Sequence, residues 1–398
     1  MDDSVGKRIA KRRGKLFTQQ GLADRAQVSV DVIRKLEQGQ RHTASVDVFQ
    51  RIARALDVPL SRLLDKQDAV PSEDPDAGVV AIRHALTPVD DLLDDDVIDT
   101  APLTVEDAER TVTYMWGCYW SGRYELLSRL LPEALIGLRA TASAVPVADR
   151  PRAARALARG YQAAGDTLVH LDQPDAAWLA IREAMRAARE SNDELLDAAL
   201  RVSVAWQLLV QGRYDESERV ALAAARGVEP AGDVNDAQLA TYGVLTSTAA
   251  TAAARSRRAS TANDLLGVAG EVANRLGYER SECQTTFGPA KVAMMSVDCA
   301  VVQDDYGDAL ANARNLPRDA ALPLASRARH LADVAMAHLR LGHGDRALTT
   351  ILSMEQLAPD WIEYQALPRQ MVSELVEQER RVSAPLRELA IRLGAYPD

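Results

Sequence analysis

Residues 18–39 read Thr18-Gln19-Gln20-Gly21-Leu22-Ala23-Asp24-Arg25-Ala26-Gln27-Val28-Ser29-Val30-Asp31-Val32-Ile33-Arg34-Lys35-Leu36-Glu37-Gln38-Gly39. Thr18 is a natural N-cap for a helix through Ala26, since its hydroxyl can accept from a first-turn amide. Ser29 plays the same part for the next helix, and Gly39 ends it. Leu22, Ala23, Val28, Ile33 and Leu36 have the spacing that packs two crossing helices on a third. The stretch therefore predicts a helix, a tight turn and a second helix. A helix of this size fits the major groove of B-DNA, where each base pair shows its own pattern of donors and acceptors.

The flanks extend the pattern. Val5, Ile9 and Leu16 recur among Lys7, Arg8, Lys11, Arg12, Arg13 and Lys15, which predicts a basic first helix over 5–16. Ser45 starts a fourth helix carrying Val48, Ile52, Ala55 and Leu56 at helical spacing. Pro59 opens a short fifth that ends at Leu63-Leu64, since proline suits a first helical turn. Residues 1–66 thus read as a five-helix domain.

The net charge of the whole chain is −10, which taken alone argues against nucleic acid. Residues 1–66 hold 14 Lys and Arg against 8 Asp and Glu, a net of +6, and the remainder holds 33 against 49, a net of −16. Five of the six lysines lie in the first segment. A basic small domain on an acidic body is the electrostatic footprint of a DNA reader joined to a second, non-binding part.

Residues 67–103 have linker composition, with Pro71, Pro75, Pro88 and Pro102 and the acidic cluster Asp90, Asp91, Asp94, Asp95, Asp96 and Asp99. Only Val79 to Leu86 has helical character there. The run reads as a solvated spacer, with masking of the basic domain as the sharper alternative. From residue 104 to 398 a pattern recurs: an Ala-rich helix, a small polar turn, a second amphipathic helix. The turns are Ser121-Gly122-Arg123-Tyr124-Glu125, Leu171-Asp172-Gln173-Pro174-Asp175, Gln211-Gly212-Arg213-Tyr214-Asp215, Gln303-Asp304-Asp305-Tyr306-Gly307-Asp308 and Gly342-His343-Gly344-Asp345-Arg346, with a degenerate copy over 255–261. Helix pairs repeating at this scale predict an α-solenoid whose neighbours must stack to bury their apolar faces. Six or seven pairs are expected, closed by a capping helix over 385–394. The fold class expected is all-α.

Thr-Gln-x-x-Leu-Ala, Val-Ser, Ile-x-x-Leu-Glu-x-Gly and Ala-Leu-Asp-Val-Pro, over roughly residues 5–64, resemble the XRE family of lambda and 434 repressor-like helix-turn-helix proteins. The resemblance implies that Gln19 contacts a phosphate and supports helix three. It implies that Val30, Asp31, Arg34 and Lys35 face bases and that Arg12 pairs with Glu37. The family usually has glycine in the turn where this chain has Gln27, and a left-handed Gln27 would cost about 1 kcal/mol. The repeats resemble tetratricopeptide repeats, through the Gly-Arg-Tyr turn and the alanines Ala176, Ala309 and Ala347. The two together resemble the peptide-sensing quorum regulators of Gram-positive bacteria.

The residues can be read without the resemblance. Lys35 can donate to guanine, Val30 can pack on a thymine methyl, and Asp31 can accept from cytosine or simply favour the dipole at its helix start. Arg34 can grip a phosphate. Ser29 leads into the helix, and Gln40, Arg41, His42 and Thr43 follow it in a polar loop suited to backbone contacts. One such domain buries little surface on DNA, so a homodimer on a pseudo-palindromic operator is expected.

A curved array offers an inner groove lined by the first helix of each pair. Its candidate lining residues are Tyr114, Trp120, Arg155, Arg159, Gln162 and Trp206. Tyr242, Asn263 and Asn274 complete the set, the two asparagine amides being able to clamp a peptide backbone. Taken singly, Trp116, Trp178 and Trp206 read first as inter-helix core. The expected occupant is a peptide or small molecule.

No phosphate loop, nucleophile elbow, metalloprotease motif or dinucleotide fingerprint occurs, so neither an enzyme nor a cofactor or metal site is expected. His330 and His338 are eight apart without an acidic partner at ligand spacing. Cys118, Cys283 and Cys299 are far apart and suit a reducing compartment. With no membrane-length apolar run and no signal peptide, a cytoplasmic protein is expected. The function expected is sequence-specific transcriptional regulation with a ligand-sensing or dimerising solenoid. The alternative is a scaffold whose solenoid binds a partner protein while the small domain only targets DNA.

Overall fold

A computed structural model describes residues 5–14, 17–40, 44, 46–56, 58, 63, 77–88, 100–232, 234–282, 285–317, 320–379 and 382–395. The N-terminal head contains α1 (Val5–Arg13), α2 (Gln19–Ala26), α3 (Val30–Glu37) and α4 (Val46–Ala55). Its core is Ile9, Leu22, Ala23, Ile33, Leu36 and Phe49, with Ile52 and Leu63 also fully buried. Helix α1 is shorter than the sequence predicts, ending before Gly14 at φ +51. Ser45, Pro59 and Leu64, and so the fifth helix, lie outside the described residues, as do the acidic cluster 90–99 and Cys283.

Helix α5 (Ala77–Leu86) falls within the stretch read as spacer. It packs on the solenoid instead, burying Ile82, Ala85 and Leu86. Gly78 lets it approach Ser128, and Arg83 donates to Gln173 Oε1 at 2.7 Å. The apolar run Val79-Val80-Ala81-Ile82 outweighs the linker composition around it.

The body is built from helix pairs in chain order. They are α6 (Val105–Trp120) with α7 (Tyr124–Ala144), α8 (Arg150–His170) with α9 (Pro174–Ala188), α10 (Glu194–Val210) with α11 (Tyr214–Gly227), and α12 (Asp236–Arg255) with α13 (Ala259–Leu276). A hairpin of β1 (Arg280–Glu282) and β2 (Thr285–Phe287), antiparallel with Arg280 opposite Phe287, interrupts the array. Then come α14 (Pro289–Val302) with α15 (Tyr306–Ala313), α16 (Leu324–Arg340) with α17 (Gly344–Leu357), the short α18 (Pro359–Glu363), and α19 (Ala366–Gln378) with α20 (Ala384–Arg392). Among the described residues the fold is all-α apart from this hairpin, whose Phe287 is fully buried against Gly243.

One local device makes six of the pairs. The second residue after the first helix is left-handed at Gly122, Asp172, Gly212, Arg257, Asp304 and Gly342. The next amide reaches back five residues, as from Arg213 N to Leu208 O at 2.9 Å and from His343 N to His338 O at 2.9 Å. This closure satisfies carbonyls that a helix end would otherwise leave bare. Alanine dominates the buried inter-helix faces, for example Ala249, Ala250, Ala252, Ala253 and Ala254 on α12. Small side chains let these helices approach closely and stack into a curved array.

Candidate nucleic-acid interface and groove cavity

The local sequence fixes α3 at both ends. Thr18 Oγ1 accepts from Gly21 N at 2.9 Å to start α2, and Ser29 Oγ accepts from Asp31 N at 3.2 Å to start α3. Between them Gln27 is left-handed at φ 53, ψ 44, and Arg51 Nη1 donates to its carbonyl at 3.0 Å. Gly6 lies against the far end of α3, where a Cβ would stand 1.7 Å from Leu36 O.

Glu37 is the anchor of that end. Arg13 grips it with Nε to Oε1 at 2.7 Å and Nη2 to Oε2 at 3.0 Å, and Gln19 Nε2 adds a third bond at 2.7 Å. The ion pair expected of Arg12 thus belongs to Arg13. Gly6, Ile9 and Arg13 form the stripe of α1 that faces α3, while Arg12 is exposed.

Ser29, Asp31, Arg34 and Lys35 lie exposed on the outer face of α3, and Val30 is half-buried against the head core. Lys35 Nζ meets Asp31 Oδ2 at 2.8 Å, and Arg34 Nη1 lies 3.9 Å from Oδ1. The Lys35 hydrogen bond draws the Asp31 carboxyl below the usual carboxylate range. Asp31 therefore serves its own helix, holding the two cations of its exposed face. Arg41, His42 and Thr43 lie outside the described residues.

The head docks on the solenoid through Ala44 and the C-terminal end of α4. Gln370 Nε2 of α19 donates to Ala44 O at 2.7 Å. The Arg54 guanidinium of α4 stands 5.3 Å over the Tyr214 ring. It also fills the place beside Gly212, where a Cβ would come within 2.7 Å of Nη2. Gly212 therefore serves both the repeat turn and the docking.

Beneath the head the inner groove forms a cavity of about 1170 Å³, to whose wall Ala53, Arg54 and Val58 contribute. Trp120, Gln162 and Trp206 line it as the sequence predicts, joined by Trp178. Trp116 is core. The other groove candidates do not line it. Tyr114 is 56 % exposed on α6 away from the cavity. Arg155 is turned to Asp193 at 3.1 Å, and Arg159 sits behind the wall, its carbonyl accepting from Trp116 Nε1. Tyr242 packs in a side cluster with Leu245, because the cavity face of α12 is the Val244, Ser247, Thr248 and Thr251 stripe. Asn263 and Asn274 stand exposed on α13, the second and outer helix of its pair.

Two polar centres sit in the wall, and of their residues the sequence reading had only Gln162. At one, Asp166 and Gln162 of α8 meet Ser203 of α10 beside a ring cluster. His170 stacks on Tyr124 with centroids 4.3 Å apart, and both the Tyr119 and Tyr124 hydroxyls approach its Nε2, at 3.3 and 3.2 Å. Burial pushes the Asp166 carboxyl up to about 7, against hydrogen bonding from Ser203 and Gln207.

At the other, Arg255 Nη2 binds Asp298 at 2.9 and 3.2 Å, and Arg329 bridges Asp298 at 3.2 Å to Asp333 at 3.3 Å. Burial pushes Asp298 up, but the two guanidiniums outweigh it and hold the carboxyl below its usual range. Burial carries Asp333 to about 6 and draws Lys291 on the same wall down to about 8. Lys291 is the sole lysine beyond residue 66, a compositional signal that marks this wall in the sequence. Asp166 has one too, as a carboxylate inside an otherwise Ala-rich run.

Among the described residues no group of His, Cys, Asp and Glu could hold a metal ion, and no helix is long and apolar enough to cross a membrane.

A capped helix-turn-helix whose second helix presents Arg34 and Lys35 to solvent defines a DNA-binding domain. Residues 9–63 match the helix-turn-helix family model, and they form an XRE-type domain. The chain is thus, in general terms, a DNA-binding regulator with a helical-repeat body. No curated protein matches it. It is similar to the solved structure of a Rap protein complexed with competence and sporulation factor, with 13% identity, 91% of this chain and 99% of that one covered, and a TM-score of 0.46. It is also similar to Bacillus thuringiensis PlcR in complex with the peptide PapR7 and DNA, with 15% identity, coverage of 69% and 96%, and a TM-score of 0.30. For Pseudomonas aeruginosa pilF the values are 17%, 66%, 97% and 0.34. The ligands named with those structures belong to those proteins.

Proposed function

We propose that this protein is a ligand-responsive transcriptional regulator, in which the occupant of the groove cavity sets the position of the DNA-reading head. One observation carries the reading: Ala53, Arg54 and Val58 of the head form part of the wall of the solenoid's own cavity. A molecule filling that space meets the head directly. It favours whichever head position gives it more contact, and it shifts the population only by that difference. The occupant is a peptide or small molecule, and the chain acts as a homodimer, because one eight-residue reading helix leaves too little interface for a specific site.

Selection of sites from a random DNA pool by the full chain tests this, repeated with spent culture medium. The expected result is an inverted repeat whose affinity changes with medium. The double variant Arg54→Ala, Gln370→Ala should bind the same sequence but no longer respond. A single half-site bound by a monomer, or an unchanged response in the double variant, would overturn it. A stoichiometric copurifying protein, with no effect of medium, would point to the scaffold instead.

A further inference from the structure

The Asp166 centre is built for a positive charge. Asp166 and Gln162 are 94 % and 99 % buried by their residual exposures of 6 % and 1 %. Ser203 Oγ donates its single proton to Asp166 Oδ2 at 2.9 Å, so it must accept from the Gln162 amide nitrogen, which stands 3.0 Å away. That fixes the orientation of the Gln162 amide. What remains in the wall is Asp166 Oδ1, Gln162 Oε1 and the amide of Gln207, whose hydrogen bonding steadies the Asp166 carboxyl.

Three of these four atoms, Asp166 Oδ1, Gln162 Oε1 and Gln207 Oε1, are acceptors against the one amide nitrogen, so the excess calls for a further donor. An unpaired buried acceptor costs ~1–3 kcal/mol, and such groups are rarely kept without use. The surroundings select among donors. The Tyr119 and Tyr124 rings lie close enough to feel the Asp166 charge, and Trp206 stands one turn after Ser203 on α10. Aromatic faces beside a carboxylate favour a cation over a neutral hydroxyl or amide.

We infer that Asp166, Gln162 and the neighbouring rings form a recognition pocket for an organic ammonium group on the cavity's ligand. The inference rests on the reading of this cavity as the effector site. The ammonium can come from a free aromatic amine or from the amino end of a short peptide. The shared chemistry is a multiply donating cation held by two acceptors and a ring face.

Isothermal titration of the full chain tests it with tryptamine, its neutral isostere tryptophol, and a pool of short peptides with free or acetylated amino ends. Tryptamine should bind at least about tenfold more tightly than tryptophol. Asp166→Asn should weaken tryptamine by roughly 10- to 100-fold, as expected for a lost charge-assisted bond. Gln162→Leu should weaken it less, and unchanged circular dichroism reports on the fold of both variants. Tighter binding of free than of acetylated peptides, exceeding tryptamine, assigns the source to a peptide, and the reverse assigns it to a small amine. Equal binding of tryptamine and tryptophol, retention by Asp166→Asn, or no amine binding at all overturns the inference. If spent medium still alters DNA binding alike in wild type and Asp166→Asn, the effector reading stands while the ammonium pocket falls.

Discussion

Replacing Gly6 by alanine puts a Cβ 1.7 Å from Leu36 O and 2.6 Å from Leu36 C. An ordinary carbon–oxygen contact needs about 3.3 Å, so α1 and α3 must separate by about 1.5 Å. The opposing atoms are backbone, and they belong to the turn that ends α3, where Leu36 O accepts from Gly39 N at 3.1 Å. They cannot rotate aside as a side chain would. Overpacking of this kind costs ~1–3 kcal/mol and occasionally more. The separation also pulls Arg13 and Gln19 from Glu37, bonds of 2.7 to 3.0 Å. A domain of this size has ~3–8 kcal/mol in all, so Gly6→Ala should loosen the head and cost most of its DNA affinity. The head has no tryptophan, so tryptophan fluorescence reports only the solenoid. Hydrogen exchange of the α1 and α3 amides is the assay, with DNA titration beside it. Gly267→Ala, where a Cβ meets nothing within 4 Å, is the control and should stabilise α13 by ~0.5–1 kcal/mol. Unchanged exchange protection and DNA affinity in Gly6→Ala would refute the reasoning.

Three further predictions follow from the ionic groups. Arg34→Ala and Lys35→Ala should each weaken DNA binding, while Asp31→Ala, freeing Lys35, should strengthen it several-fold on all sequences; a change of base preference at one position in Asp31→Ala would contradict its pairing role. Asp298→Ala leaves Arg255 and Arg329 short of their shared carboxylate and should cost ~3–5 kcal/mol in urea unfolding, whereas Arg257→Ala, breaking an exposed pair with Asp304, should cost under ~1 kcal/mol. Burial places the Asp166 carboxyl at about 7 in the folded chain, against ~4 unfolded. The folded state then binds the extra proton between those values, so stability falls as pH rises through that window and is flat above it. Asp166→Asn should be more stable than wild type at pH 8, by at most ~4 kcal/mol, and gain nothing at pH 4. An equal gain at both would show that the carboxylate is not penalised by burial.

The reading helix was legible because its signals are local. Thr18, Ser29 and Gly39 act within a few residues, and the buried set recurs at helical period. The repeat turns were legible for the same reason, even where Asp172 and Asp304 stand in for glycine. The short hairpin at Arg280–Phe287 was not, since two three-residue strands gain their place from burial of Phe287 on α12.

The sequence alone therefore determined the kinds of element, the charge divided between a basic head and an acidic body, and the exposed face of α3 that carries Asp31, Arg34 and Lys35. Only the tertiary structure decided which wall each polar residue joins. A helix offers the same residue to an inner groove or to solvent according to which member of its pair it occupies, and that sent Asn263 and Asn274 outward. The choice of Arg13 over Arg12 turned on a rotation of about 100° along α1. The Asp166 centre exists only because α8 and α10, some 40 residues apart in the chain, are stacked so that Ser203 spends its one proton on Asp166 and buried acceptors are left over in the wall.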